Sequence, residues 1–257
     1  MIERDDQDDV AVVRLAHGPV NALDTELLGA IVDTFRILDT SGPAAIVFTG
    51  SGRAFSAGVD LWRVLDGGEP YLETFLDLLV TAFETVFTVG KPVVAALNGH
   101  AIAGGCIFAA ACDHRVMADG AGRIGVPEPL VGVPFPTVAL EILEYAYGTP
   151  ARHAAVLTGA THEPRDALAL GLVDEVVPGT GLVAHAVATA RRLGTGVPPD
   201  TFRVTKRQLH ATVDERVARR WPVERPEVLR LWTARAADGW MRDYLQRVTR
   251  RADEVRP

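Results

Sequence analysis

Two glycine-rich segments, each entered from a short uninterrupted apolar run, constrain this chain more than anything else in its sequence. The first run, AAIVFT at residues 44–49, leads into GSGRAFSAG at 50–58. The second, PVVAAL at 92–97, leads into NGHAIAGGC at 98–106. A continuous apolar run of this length between turn residues reads as a strand buried on both faces. Each glycine-rich segment then presents backbone N–H groups at a strand-to-helix junction, where the first amides of a helix lack an acceptor and carry partial positive charge. Two such amides converging on one point make an oxyanion hole. Either segment alone is an ordinary strand-to-helix turn.

The rest of the chain alternates in the same way. Residues 10–15 (VAVVRL) and 114–118 read as strands, and 25–39 and 71–89 as amphipathic helices. Residues 104–113 read as a glycine turn feeding an apolar helix, and 67–70 (GGEP) as a mobile loop. Four prolines between 125 and 137 make that stretch irregular. Helices follow at 139–147, 152–157 and 164–170, with a strand over 172–177. From 178 onward the pattern is helical, with a break at 194–199. Buried strands alternating with helices define an α/β protein. It divides into an α/β core over 1–190 and a helical region over 191–257.

The 257 residues are 48% hydrophobic and 23% charged, which excludes a disordered or fibrous chain. A net charge of −7 argues against nucleic acid as the partner. Cys106 and Cys112 are the only cysteines, so the expected setting is a reducing cytoplasm. The acidic start, MIERDDQDDV, is unlike a secretory leader. Asn98, His100 and glycines interrupt the most apolar stretch, so no membrane span is expected there. Phe55 stands where a dinucleotide fingerprint needs its third glycine. There is no phosphate loop, no GxSxG elbow, and no histidine pairing at metal-ligand spacing, so neither metal nor redox cofactor is expected.

Six segments agree with one family. VNALD at 20–24, AFSAGVDL at 54–61, NGHAIAGGC at 98–106, ACDHRV at 111–116, GVPEPLVGV at 125–133 and ALALGLVDEVVP at 167–178 resemble the crotonase (enoyl-CoA hydratase/isomerase) superfamily. The resemblance runs over about residues 10–180 and is looser in the C-terminal helices. It implies a spiral of ββα units with a C-terminal helical trimerisation region, hence a homotrimer or a dimer of trimers. It implies an acyl-coenzyme A thioester as substrate, with no separate cofactor. The thioester oxygen would accept from the N–H groups of Val59 and Gly104. Ala22, Leu23 and Ala57 would hold the adenine end, and Asp60 and Leu61 belong to the same binding region, with helix capping the preferred role of Asp60.

The acids select the reaction. Hydratases of the superfamily use two glutamates. Glu128 retains one, but Ile107 stands at the other position. One carboxylate suffices for a 1,3-proton shift, and the VPFPT run at 133–137 is similar to that of Δ3,Δ2-enoyl-CoA isomerases. Pro136 replaces the aspartate of dienoyl-CoA isomerases. Two alternatives remain open: a hydratase in which Glu69, Glu73 or a water chain replaces the missing acid, and a non-catalytic acyl-CoA binder. Glu69, Tyr71 and Glu73 are candidates for a loop over the acyl pocket. His100 is expected to be a packed turn residue, Asp113 and His114 structural, and Phe75, Phe83 and Phe87 core. Arg203, Lys206 and Arg207, like Arg242, Arg247, Arg250 and Arg251, form either solvated helix faces or contacts to coenzyme A phosphates.

Overall fold

A computed structural model describes residues 1–254, apart from the side chains of 150–152, 154 and 249–254. The chain begins with strands β1 (Ile2–Gln7) and β2 (Val10–Leu15), helix α1 (Thr25–Thr40), strands β3 (Ala45–Gly50) and β4 (Ala54–Ser56), and helix α2 (Leu61–Thr88). Next come β5 (Val93–Leu97), β6 (His100–Ile102), α3 (Gly104–Ala110), β7 (His114–Asp119), β8 (Ile124–Gly125) and α4 (Glu128–Val131). Helix α5 (Thr137–Thr158), β9 (Thr161–His162), α6 (Pro164–Ala169) and β10 (Glu175–Pro178) lead to helices α7 (Leu182–Thr195), α8 (Pro199–Ala237) and α9 (Trp240–Glu254).

The strands form two sheets. One has the order β1-β2-β3-β5-β7-β10 and the other β4-β6-β8-β9. In the first, β2, β3, β5, β7 and β10 are parallel, and β1 runs antiparallel along the edge. In the second, β4, β6 and β8 are parallel and β9 is antiparallel. Each of β3, β5 and β7 crosses into a short strand of the second sheet before its helix, so β3-β4-α2, β5-β6-α3 and β7-β8-α4 are successive ββα turns of a spiral. The apolar runs are continuous because both faces of the large sheet are covered. Ile46 and Phe48 face the main core, whereas Ala45 and Val47 face a second cluster built with Leu182, Ala186 and Ala190 of α7. The division expected at residue 190 falls inside α7.

Besides the short strands of the second sheet, which the sequence reading leaves within turns and connections, three elements differ from the sequence expectation. Residues 67–70 are not a loop but lie within α2, which breaks only at Gly68 (φ 59°, ψ −152°). Glycine takes this left-handed turn without strain, and Pro70 falls in the first turn after the break, where a missing N–H costs little. Gly148 (φ 71°) breaks α5 in the same way instead of ending it. The acidic start forms β1, paired from Ile2↔Leu15 to Gln7↔Val10. Its side chains are mostly exposed, so the main-chain ladder, not apolar alternation, holds it.

Candidate active site

The first glycine-rich segment is held by buried hydrogen bonds. Asn21, in a left-handed conformation (φ 51°), is fully buried. Its side-chain amide donates to the carbonyls of Ala54 at 3.0 Å and Phe55 at 3.2 Å. The Ser56 hydroxyl donates to the carbonyl of Asn21 at 2.7 Å, and its oxygen accepts the Gly58 N–H at 3.1 Å. The Gly58 carbonyl accepts from Leu23 N–H at 2.8 Å. The C=O and N–H of a trans peptide point in opposite directions, so the Val59 N–H faces away from Leu23.

The second segment turns at Ala103, also left-handed (φ 53°), and Gly104 opens α3. As the first helical residue, Gly104 has an N–H with no intrahelical acceptor. The two segments abut. A Cβ on Gly58 (φ 83°) would lie 2.6 Å from the Ala103 Cβ, 2.7 Å from the Ile102 carbonyl oxygen and 3.4 Å from the Gly104 nitrogen. No side chain fits between them, so glycine at 58 is what lets residues 58–59 approach 103–104.

A cavity of about 60 Å3 lies at this junction. Ala57, Val59 and Leu61 line it from the first segment, and Ile102 and Ala103 from the second. Pro127, Glu128, Val131 and Val133 form a further wall, and Trp232 of α8 and Tyr244 of α9 complete it. Among the described residues, Glu128 is the one carboxylate in this lining. Its side chain sits at the first turn of α4, with Pro127 before it, and is 7% exposed. Its Oε2 is buried and has no hydrogen-bond partner in the protein. Burial pushes its pKa up from 4.5 to about 8, opposed only by a backbone hydrogen bond. Among the described residues, no cation lines the cavity to draw it back down. Burial also raises the Tyr244 phenol, and the Glu128 charge adds to that.

The other expected residues fall in different places. Leu23 is fully buried and Ala22 half-buried, and neither lines the cavity. A Cβ on Gly104 would meet the Leu23 Cδ1 at 2.6 Å, so Leu23 packs beneath the second segment. Asp60 caps α2: its Oδ1 accepts the N–H groups of Trp62 and Arg63, each at 3.1 Å. Ile107 is 2% exposed in the main apolar core. Glu69 and Glu73 are exposed on α2, outside the cavity lining. Tyr71 stacks on Phe75 in the same helix, with ring centroids 5.6 Å apart.

His100 is half-buried on β6, and desolvation first, then Arg53 and Arg123, lower its pKa. Asp113 accepts from Val93 N–H at 2.8 Å and from Lys206 Nζ at 2.7 Å. His114 is hydrogen-bonded to Glu175 at 2.7 Å. Arg203 pairs with Asp39 at 3.0 Å. Phe75, Phe83 and Phe87 are core. The side chains of Arg250 and Arg251 lie outside the described residues. Sequence reasoning missed Trp232 and Tyr244. Both sit in helices far along the chain, and nothing in their local pattern points to the site.

Among the described residues, no group of three His, Cys, Asp or Glu side chains is placed to hold a metal ion. Two mixed, mainly parallel sheets wound into a ββα spiral, with a buried carboxyl lining the same cavity as two abutting glycine turns, define a protein of the crotonase type. Residues 5–228 match the enoyl-CoA hydratase/isomerase family, and the chain belongs to that family. A putative enoyl-CoA hydratase of Thermus thermophilus is 38% identical over 196 residues, covering 74% of this chain and 76% of that protein. The mitochondrial enoyl-CoA delta isomerase 1 of Rattus norvegicus is 29% identical over 224 residues, covering 86% of this chain and 77% of that protein. Among solved structures, a probable enoyl-CoA hydratase of Mycobacterium tuberculosis superposes with a TM-score of 0.79 at 31% identity, over 88% of this chain and 95% of that one. The human mitochondrial delta3-delta2-enoyl-CoA isomerase shares the fold with a TM-score of 0.87 at 24% identity, over 100% of this chain and 99% of that one.

Proposed function

We propose that the protein is a Δ3,Δ2-enoyl-CoA isomerase in which Glu128 alone moves the proton. The observation that carries this reading is the unpartnered Oε2 of Glu128 on an apolar cavity with no second carboxylate among the described residues of its lining. The thioester carbonyl oxygen accepts from the N–H groups of Val59 and Gly104. Ionised Glu128 removes a proton from the α-carbon, and the C–H electron pair moves into a dienolate whose negative oxygen those two amides stabilise. The carboxyl then returns the proton to the γ-carbon, and the double bond moves from the β,γ to the α,β position. One proton leaves and returns, the oxidation state is unchanged, and no cofactor is required. Ala22, Leu23 and Ala57 act at the coenzyme A end through their backbone, with Asp60 and Leu61 supporting the turn between them.

Water addition needs a second acid or base, and the position where hydratases of the superfamily carry one holds the buried Ile107. The test is incubation with a 3-enoyl-CoA and separation of the products. The expected product is the trans-2-enoyl-CoA. A 3-hydroxyacyl-CoA as the main product would overturn the reading in favour of hydration, and tight binding without turnover would favour a binder.

We further propose that the chain works in the cytoplasm as a homotrimer or a dimer of trimers. Both cysteines are free and buried, which suits a reducing compartment. Among the described residues no helix is long and apolar enough to cross a membrane. Sedimentation at micromolar concentration reads the assembly directly.

A further inference from the structure

We infer that Trp232 and Tyr244 close the far end of the cavity and restrict the enzyme to short acyl chains. This rests on the reading that the cavity holds the acyl part of a thioester. With the carbonyl at Val59 and Gly104 and the reacting carbons beside Glu128, the rest of the chain leads away from the glycine turns. The wall that remains is Val131, Val133, Trp232 and Tyr244. The cavity measures about 60 Å3. That is small beside the roughly 300–1,000 Å3 of an ordinary small-molecule site, which suits a short acyl chain and not a long one.

The end wall is braced. Trp232 is 2% exposed, and its indole N–H donates to the Pro134 carbonyl at 3.0 Å. Phe75 packs beside it, with ring centroids 6.4 Å apart. Swinging Trp232 aside would strand a buried donor, so a longer chain cannot displace it without that cost. Tyr244 is only half-buried and makes the softer side of the wall.

Two measurements test this. Binding of butyryl-, hexanoyl-, decanoyl- and dodecanoyl-CoA by calorimetry reads the length limit without any turnover. Steady-state kinetics on six- and ten-carbon 3-enoyl-CoAs read it in kcat/KM. The expected parent protein binds the six-carbon thioester at least ~10-fold more tightly than the ten-carbon one. Trp232→Leu is expected to shift the ten- to six-carbon ratio at least ~10-fold toward the longer chain. Tyr244→Ala, at a half-buried position that folding tolerates better, should shift the ratio in the same direction by less. Equal affinity of the parent for all four thioesters overturns the inference, as does an unchanged ratio in the folded variants. Failure to bind any acyl-CoA would instead overturn the functional reading on which the inference rests.

Discussion

The indole N–H of Trp240 donates to the main-chain carbonyl of Leu130 at 3.1 Å. This bond latches the last helix onto the one-turn helix that carries Glu128. A four-residue helix has little stability of its own, so its position depends on what packs against it. Trp240→Phe keeps most of the ring and removes the bond. We expect a stability loss of about 1 kcal/mol in urea unfolding, together with a fall in kcat. An unchanged kcat would mean that α4 holds Glu128 in place without α9.

Glu128→Gln removes the one carboxylate among the described residues of the cavity lining. Turnover of a 3-enoyl-CoA should fall at least ~100-fold, with a much smaller change in KM. Because the free carboxyl titrates at about 8, kcat/KM of the parent should rise with pH and level off above that value. The base form is the working form, and it is in the minority below about 8. A kcat/KM flat across this range would remove Glu128 from the role of base.

The same carboxyl links stability to pH. Burial raises its folded pKa from 4.5 to about 8. Between those values the folded protein retains a proton that the unfolded chain has released. Stability therefore declines as pH rises through the window and stops declining above it. Glu128→Gln lacks this term. Its unfolding free energy relative to the parent should increase across the window by at most about 5 kcal/mol. Parallel stability curves for the two proteins would contradict the burial of an unpaired carboxyl.

Gly58→Ala and Gly104→Ala should not behave alike. At Gly58 the new methyl would meet a backbone carbonyl oxygen at 2.7 Å and a neighbouring Cβ, in a left-handed conformation that alanine resists. At Gly104 it meets the end of the Leu23 side chain, which can turn aside. In the proposed mechanism this turn carries one oxyanion donor, and moving such a donor out of place costs about 3 kcal/mol of transition-state stabilisation, so Gly58→Ala should lose roughly 100-fold or more in kcat. Gly104→Ala should lose less. The reverse order would show that the first turn is not the critical approach.

Asn21 holds the first segment from beneath, and its three acceptors are all main-chain carbonyls. Asn21→Ala removes the side-chain donor to the buried Phe55 carbonyl, leaves Ala54 only the longer bond from Asn98 at 3.3 Å, and should cost about 1–3 kcal/mol in chemical denaturation. Asn21→Asp should cost more, since it sets a carboxylate against those same oxygens. Thermal midpoints of the two variants, measured side by side, give the order.

Much of this was legible in the residues. The strand at 44–49 could be read because its apolar run has no polar face, and the large sheet is indeed covered on both sides. The helix at 25–39 could be read from its spacing, and Asp24 caps it. Strand β1 could not be read, because its stability lies in main-chain pairing that leaves no pattern in the side chains. The GGEP stretch reads as a loop locally, yet helical packing on both sides absorbs its glycines as a single break. Lys206 looked like part of a solvated basic face, but Asp113 holds it buried.

By itself the sequence marked the apolar strands of the large sheet, the amphipathic helices and the two glycine turns, and singled out Glu128 as the candidate acid, because periodicity, backbone freedom and chemical type are local properties. Tertiary structure alone decided that Gly58 and Gly104 abut, that Glu128 loses its water without gaining a partner, and that Trp232 and Tyr244 join the cavity lining. Those outcomes depend on distances between segments remote in the chain, and the free energy of an ionisable group is set by what surrounds it once the chain has folded.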